Sequence, residues 1–412
     1  MNVIISLQVK IYIFTEQHHL ILIYKNMKYI ITLQLFLICC FSFSQNFQIS
    51  KVVADKNSKI PLENVTVSNA SDVSTTNSEG KFAFVSQKNE INLNLLGYYP
   101  IITSFDKLKS SQDTIFMETK AMQLQEVVVS NADTYMKKVY DKFQDNLLQN
   151  YTIDFFLRNV FKKNKVNILL QDIYARKNQI KSQKKNATIE ILNMRKTSFF
   201  EKKDNINFGF PDFEGLLSNE LPEIDKYSFT ETPFNDSDFK KILFESNEKD
   251  ESGQIKRGYF IINRKDYAIV EYTISYVENP ESVPYRNLSR GKYRTTNLEK
   301  FIQFTKDSKS NKYYQSNIKI DNQVDIIVNK ISENPFYFDF TMDYFVTNNP
   351  SNEKINSNFA TSKDIFRAKF PYSKDFWNNQ NQLPLTKELE GFLKSVNEKK
   401  DKTKEFEIIS NF

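Results

Sequence analysis

The sequence predicts a mostly β protein: a small antiparallel β-sandwich near the N-terminus, then a larger α+β domain with a long antiparallel sheet and flanking helices. Three observations carry this. Aromatic residues make up 14% of the chain against only 8 glycines, a balance that suits packed β-structure rather than linker. From Phe47 to about Ser130, short β-branched runs alternate with turn residues and show no helical period. Beyond residue 131, one amphipathic helical stretch precedes a succession of segments whose apolar residues recur at every second position.

The first domain, residues 45–130, reads as follows. Ile49, Lys51 and Val53 alternate with Ser50 and Val52, and Asp55 to Lys59 makes a polar turn. Val65-Thr66-Val67 is a β-branched strand, and Thr75 to Phe82 a hairpin in which Gly80 is free to take positive φ. Ile91 to Leu95 alternates strictly and is closed by Gly97-Tyr98-Tyr99-Pro100. Asp113 to Met117 and Leu124 to Val129 complete the set. Pro61-Leu-x-x-Val-x-Val67, Thr76-x-Ser-x-Gly-x-Phe82, Leu96-Gly97-Tyr98 and Leu124-Gln-Glu-Val-Val-Val129 together resemble the carboxypeptidase-regulatory-like domain of Gram-negative envelope proteins. The resemblance implies a transthyretin-like, seven-stranded sandwich that is not itself catalytic and that commonly precedes an outer-membrane barrel. In that family the turn usually carries Asp where Ser78 stands.

The second domain spans 131–383. Ala132 to Leu148 is helical by pattern, with Asp133 as expected N-cap and Met136, Val139, Tyr140, Phe143 and Leu147 on one face. Strands are expected at Tyr151–Val160, Val166–Ala175, Thr188–Met194, Gly258–Asn263 and Tyr267–Val277, and again at Tyr313–Ile320, Val324–Lys330 and Tyr337–Val346. A less regular insert runs from Phe208 to Glu248. Tyr272, Ile274 and Tyr276 share one strand face, as do Phe340, Met342 and Tyr344 on another. The order of elements, with Asn150-Tyr151 and Asp375-Phe-Trp377, resembles the uncharacterised region that often follows the regulatory-like domain. The strands are also similar to the open, curved sheets of periplasmic lipoprotein carriers. Such a sheet holds an apolar ligand if its face is open, and is ordinary core if a helix covers it. Residues 384–412 are expected to form a terminal helix, with Thr386 as N-cap and Leu389, Phe392, Leu393 and Val396 on one face, followed by a charged tail.

Residues 1–44 read as a leader. Lys28 precedes an apolar run of about 14 residues, shorter than a bilayer span, and Ser42-Phe43-Ser44 suits a signal peptidase, with Met27 as the expected start. Ile38 before Cys39, and Cys39 before Cys40, make a weak acylation signal, since a small residue is wanted there. The expected location is the periplasm or the outer membrane of a Gram-negative bacterium. His18, His19, Cys39 and Cys40 are the only histidines and cysteines, and all lie in the leader. The mature chain would therefore lack the usual general base, any thiol nucleophile and most zinc ligand sets. A zinc carboxypeptidase is excluded on the same ground. The remaining length is too short for a large transport barrel with its plug.

The net charge of +6 is small for 412 residues, and basic clusters such as Lys162-Lys163 and Lys184-Lys185 are scattered. A nucleic-acid partner would need a concentrated stripe and is not expected. Asn235-Asp236-Ser237-Asp238 offers alternating oxygens but lacks the glycine and distal glutamate of a calcium loop. Asp212, Glu214, Glu220, Glu223 and Asp225 are the carboxylates from which a glycosidase pair could come. Ser78-x-x-Lys81 is explained by its turn. No catalytic, cofactor or metal site is assigned. The expectation is a non-enzymatic envelope protein: a sandwich that docks or spaces, fused to an interaction sheet, with envelope proteins as partners, outer-membrane ones among them, and no transmembrane helix in the mature chain. The alternatives are a periplasmic carrier of a lipid or other apolar ligand, and a carboxylate-based hydrolase.

Overall fold

The structure, a computed structural model, describes residues 46–121, 132–179, 188–199, 221–250, 253–276, 280–288, 291–328, 335–399 and 407–408. The expected leader with its two cysteines, the strand expected at Leu124–Val129 and the boundary at 130/131 lie outside these residues. Seven strands build the sandwich: β1 (Phe47–Asp55), β2 (Thr66–Ser68), β3 (Val73–Thr75), β4 (Lys81–Ser86), β5 (Glu90–Asn94), β6 (Ile101–Ser104) and β7 (Thr114–Met117). They form two sheets, ordered β4-β1-β7 and β3-β2-β5-β6. Val53, Phe82, Phe84, Leu93 and Met117 meet between them, fully buried. Gly80 takes φ +69° in the hairpin, with Val53 O only 2.4 Å from where a Cβ would sit.

One pairing departs from the antiparallel expectation. β7 runs parallel to β1, Val52 facing Thr114 and Asp55 facing Met117. Between β6 and β7 the chain crosses from one sheet to the other through helix α1 (Phe105–Lys109), capped by Ser104, and a crossover of this kind delivers a strand in the parallel sense.

The long sheet has 12 strands. After helix α2 (Ala132–Asn146) come β8 (Tyr151–Lys163), β9 (Val166–Gln179), β10 (Thr188–Ser198), β11 (Tyr227–Thr232), β12 (Phe239–Ser246), β13 (Lys256–Asn263) and β14 (Ile269–Tyr276). Next are β15 (Arg286–Leu288), β16 (Gly291–Lys306), β17 (Tyr313–Val328) and β18 (Phe336–Val346). Helices α3 (Lys374–Asn378) and α4 (Lys387–Lys399) and the short β19 (Glu407–Ile408) end the chain. The path β11-β12-β13-β14-β16-β17-β18-β8-β9-β10-β19 is open, with β15 paired to β16 off the path. Every pairing in it is antiparallel.

Three expectations are corrected in detail. Asp133 lies in the first turn of α2, where its charge suits the helix dipole, because the helix already starts at Ala132. The two strands expected at 313–320 and 324–330 are one continuous β17, since Asp321-Asn322-Gln323 keep the ladder to both neighbours. Within the supposedly irregular insert, β11 and β12 pair as a regular hairpin, Phe229 against Phe244. The 16-residue β16 was not foreseen. A β-bulge at Thr296 breaks its alternation and hides its period, and a second bulge in the same pairing falls on β17, at Ser316.

The sheet's inner face is the one carrying Leu157, Tyr272, Ile318 and Tyr344. These side chains join Met136, Val139 and Phe143 of α2 in one core. Alternation puts the next residues on the outer face. In β13, Gly258 sits where a Cβ would come within 1.9 Å of Thr273 O and 2.6 Å of the Phe244 ring. A Gly258→Ala chain is therefore expected to lose about 2 kcal/mol through forced displacement of neighbours, read as a lower urea midpoint at unchanged slope.

Candidate functional site

The outer face, where sandwich and sheet meet, holds the densest set of polar side chains. Lys319, Asp343, Arg158, Asp172 and Arg195 occupy directly paired positions on β17, β18, β8, β9 and β10. Register alone thus lays down a row of alternating charge across five strands. Its centre is fully ordered: Arg158 grips Asp172 bidentately at 2.7 and 2.8 Å, and Arg195 reaches the same carboxylate at 2.7 Å. Arg158 and Asp172 are buried at 1% and 0% exposure, so these bonds act in a low-dielectric setting. Burial alone would raise the Asp172 carboxyl, but the two guanidinium groups outweigh it and hold it below the ordinary carboxylate value.

The C-terminal segment covers this row. Arg158 donates to Pro384 O at 3.0 Å, Arg195 donates to Gln382 Oε1 at 2.6 Å, and the buried Trp377 ring lies 4.4 Å from the Arg195 guanidinium. Ser373 caps α3 and so sets the position of Trp377. Thr386 caps α4 as expected, accepting the Leu389 N–H, and Leu389 packs on Val160 and Leu170.

At the other end of the row the sandwich takes over. Lys319 binds Glu63 at 2.7 Å, and Asn317 donates to Asn64 Oδ1 at 3.1 Å. Burial works against the Lys319 ammonium, but Asp343, Glu63 and Asp321 around it raise its pKa overall. Asp343 lies beside Lys319 and Arg158, yet both cations are engaged elsewhere; burial pushes its carboxyl up to about 7. Further bonds fasten the two parts: Asn77 to Pro384 O, Asn381 Oδ1 accepting the Val85 N–H, and Lys387 N–H to Glu79.

A second raised carboxyl lies on the same face. Glu271 of β14 accepts a hydrogen bond from Tyr259 Oη at 2.8 Å, and burial lifts its pKa to about 7. Paired acids of this kind do glycosidase chemistry when about 5–10 Å apart. Glu271 and Asp343 stand three strand spacings apart, about 14 Å. They cannot act on one bond.

The residues singled out in sequence fall elsewhere. Asp236 is buried and bound by Lys120 at the end of the sandwich, while its Oδ1 accepts the Asp238 N–H, so the loop is a docking point. Glu223 pairs with Lys226 on the surface. Asp212, Glu214 and Glu220 lie outside the described residues, and the Asp225 carbonyl accepts from Asn247 Nδ2. Ser78 is exposed in the hairpin turn, and Lys81 pairs with Glu79 at 2.8 Å. Among the described residues no group of three or more His, Cys, Asp or Glu side chains is placed to hold a metal. The aromatic stripes of β14 and β18 are buried core: Tyr272 stacks on Phe260, which meets Tyr140 of α2, and Phe340 packs on Phe366 of the C-terminal segment. A cavity of about 140 Å³ lies at one end of the sheet, between Arg286, Arg294, Tyr276 and Tyr293.

Sequence reasoning missed the charge row. The signal available was a lone charge inside an apolar strand, as in Leu157-Arg158 and Asp172-Ile173, but no local pattern reveals which charges will face each other.

No family model matches the chain, and no curated protein matches it. Among solved structures, one described as showing lipid–protein interactions in lipovitellin aligns with 60% of this chain at 11% identity and a TM-score of 0.25. The alignment spans 30% of that longer chain. A likeness this slight says nothing about activity. Among the described residues no helix is long and apolar enough to cross a membrane.

Proposed function

We propose that the chain is a non-enzymatic binding protein of the Gram-negative cell envelope, periplasmic or held at the outer membrane by partners. In it the regulatory-like sandwich and the long sheet act as one body that engages other envelope proteins. One observation carries this reading: under the sandwich and the C-terminal cover, most polar groups of the outer face are spent on each other, Asp343 being the exception. Asp172 is shared by two arginines, Lys319 by carboxylates from both parts, and Asp236 by Lys120. A rigid seat for the sandwich follows, and little is left for chemistry. The leader pattern and the regulatory-like motifs support the address.

Fractionation of cells expressing the full chain, with the mature N-terminus determined, tests it. The protein is expected in the envelope fraction with a new terminus near Gln45, and in-cell crosslinking should join it to envelope proteins. Retention in the cytoplasm with an intact leader would sink the proposal.

The carrier reading has one observation in its favour, the buried apolar cluster of the inner face, which Asn159, Gln171 and Lys196 interrupt over β8–β10. A ligand there would have to displace α2, which is pinned by Asn146 to Asp266 O and by Tyr140 to Pro222 O. Mass spectrometry of lipid extracted from the purified protein decides between the two.

A further inference from the structure

At the end of the sheet away from the sandwich contacts lie the described ends of three strand pairs, β8–β9, β17–β18 and β15–β16. The β8–β9 turn is made by Asn164 and Lys165, both at positive φ, and β17–β18 and β15–β16 end beside it. Lys163 faces both Val166 and Phe338, Phe336 faces Ile326, and Gly291 faces both Val328 and Leu288. Direct pairing and alternation therefore bring Val166, Phe336, Ile326, Val328 and Leu288 onto the inner face of the sheet. Elsewhere that face is sealed, but here Val166 is 64% exposed and Leu288 47%, while Tyr337 on the opposite face is 50% exposed. An apolar patch at the tip of an extended sheet, left uncovered, marks an interaction surface.

Charge says what it meets. Lys163 lies 4.8 Å above the Phe336 ring, and Lys165, Lys292 and Arg286 are exposed around the patch. Arg286 and Arg294 line the 140 Å³ cavity beside it. Among the described residues, acids of this end face cations: Asp325 binds Arg294 at 2.8 Å, Asp250 pairs with Lys256, and Asp339 feels Lys162 and Lys165. Cations surrounding exposed aliphatic and tyrosine side chains form the arrangement that suits an anionic bilayer surface, where Tyr also sits at the headgroup level.

We propose that this end of the sheet docks on an anionic lipid bilayer. Val166, Leu288 and Tyr337 enter the boundary between headgroups and acyl chains, and Lys163, Lys165, Lys292 and Arg286 face the lipid phosphates. This docking does not depend on the envelope proposal, because it uses a surface remote from the sandwich.

Co-sedimentation of the full chain with phosphatidylcholine vesicles, with and without phosphatidylglycerol, tests it. Binding is expected only with the anionic lipid and should weaken as salt rises. Each cation near an anionic surface is worth about a fivefold factor, so Lys165→Gln/Lys292→Gln/Arg286→Gln should bind on the order of a hundredfold more weakly. Val166→Ser/Leu288→Ser/Tyr337→Ser should lose on the order of tenfold, and these exposed sites leave the melting curve nearly unchanged. In the unaltered protein, hydrogen exchange should slow at residues 164–166 and 286–292 when vesicles are added. Equal binding to neutral vesicles, or no binding, overturns the proposal. So does binding undiminished in both variants, which would assign it to the leader, and so does saturable capture of single lipids without vesicle binding.

Discussion

Asp172→Ala should be the most damaging single substitution in the chain, costing about 3–5 kcal/mol, because it leaves two arginines buried without their shared counter-ion. Arg158 is 1% exposed and Arg195 only 9%, so neither can turn its charge to water without breaking its bonds to Pro384 O and Gln382. The expected result is a large fall in the urea midpoint, with the C-terminal cover over the row exposed first to protease. The pH dependence has a definite sign. The folded-state pKa of Asp172 is below its unfolded value, so its stabilisation is present above the unfolded value near 4 and is lost as pH falls through the folded one. Wild-type protein should therefore lose stability in acid faster than Asp172→Ala does. Parallel acid profiles would show that the carboxylate is not the group holding the two arginines.

Glu271→Gln is expected to work in the opposite direction. Burial raises the Glu271 carboxyl from about 4.5 to about 7, so the folded state keeps a proton that the unfolded chain gives up. Its contribution is complete below the unfolded value and declines as pH rises through the folded value. The total change is about 3 kcal/mol, taking about 1.4 kcal/mol per unit of pKa difference. A glutamine keeps an acceptor for Tyr259 Oη without the buried charge. The variant should match wild type near pH 4 and exceed it at pH 8, with the difference growing between. Equal denaturation midpoints at pH 8 would mean that Glu271 reaches solvent.

How much was legible in advance depends on the range of the interactions. The sandwich strands at Val65–Val67 and Ile91–Leu95, the Gly80 turn, helix α2 and the Thr386 cap were readable, since each follows from a period or a residue preference within a few positions. Strand β16 was not, because its bulge at Thr296 resets the alternation that identifies strands. The buried state of Glu271 was not readable either: it alternates with Tyr272 as a solvated residue would. The docking role of Asp236 was hidden for a related reason, as its partner Lys120 is more than a hundred residues distant.

Local sequence thus determined the mostly β class, the absence of histidine and cysteine beyond residue 40, and the order of most elements. Tertiary structure alone decided which charges meet. Strand register aligned Lys319, Asp343, Arg158, Asp172 and Arg195 from segments spread over almost two hundred residues, and register likewise put Val166, Phe336, Ile326, Val328 and Leu288 on one face at one end of the sheet. Side-chain alternation is a property of one strand, whereas register is a property of pairs. The physical reason is that pairing is chosen by burial over the whole sheet, which no single segment encodes.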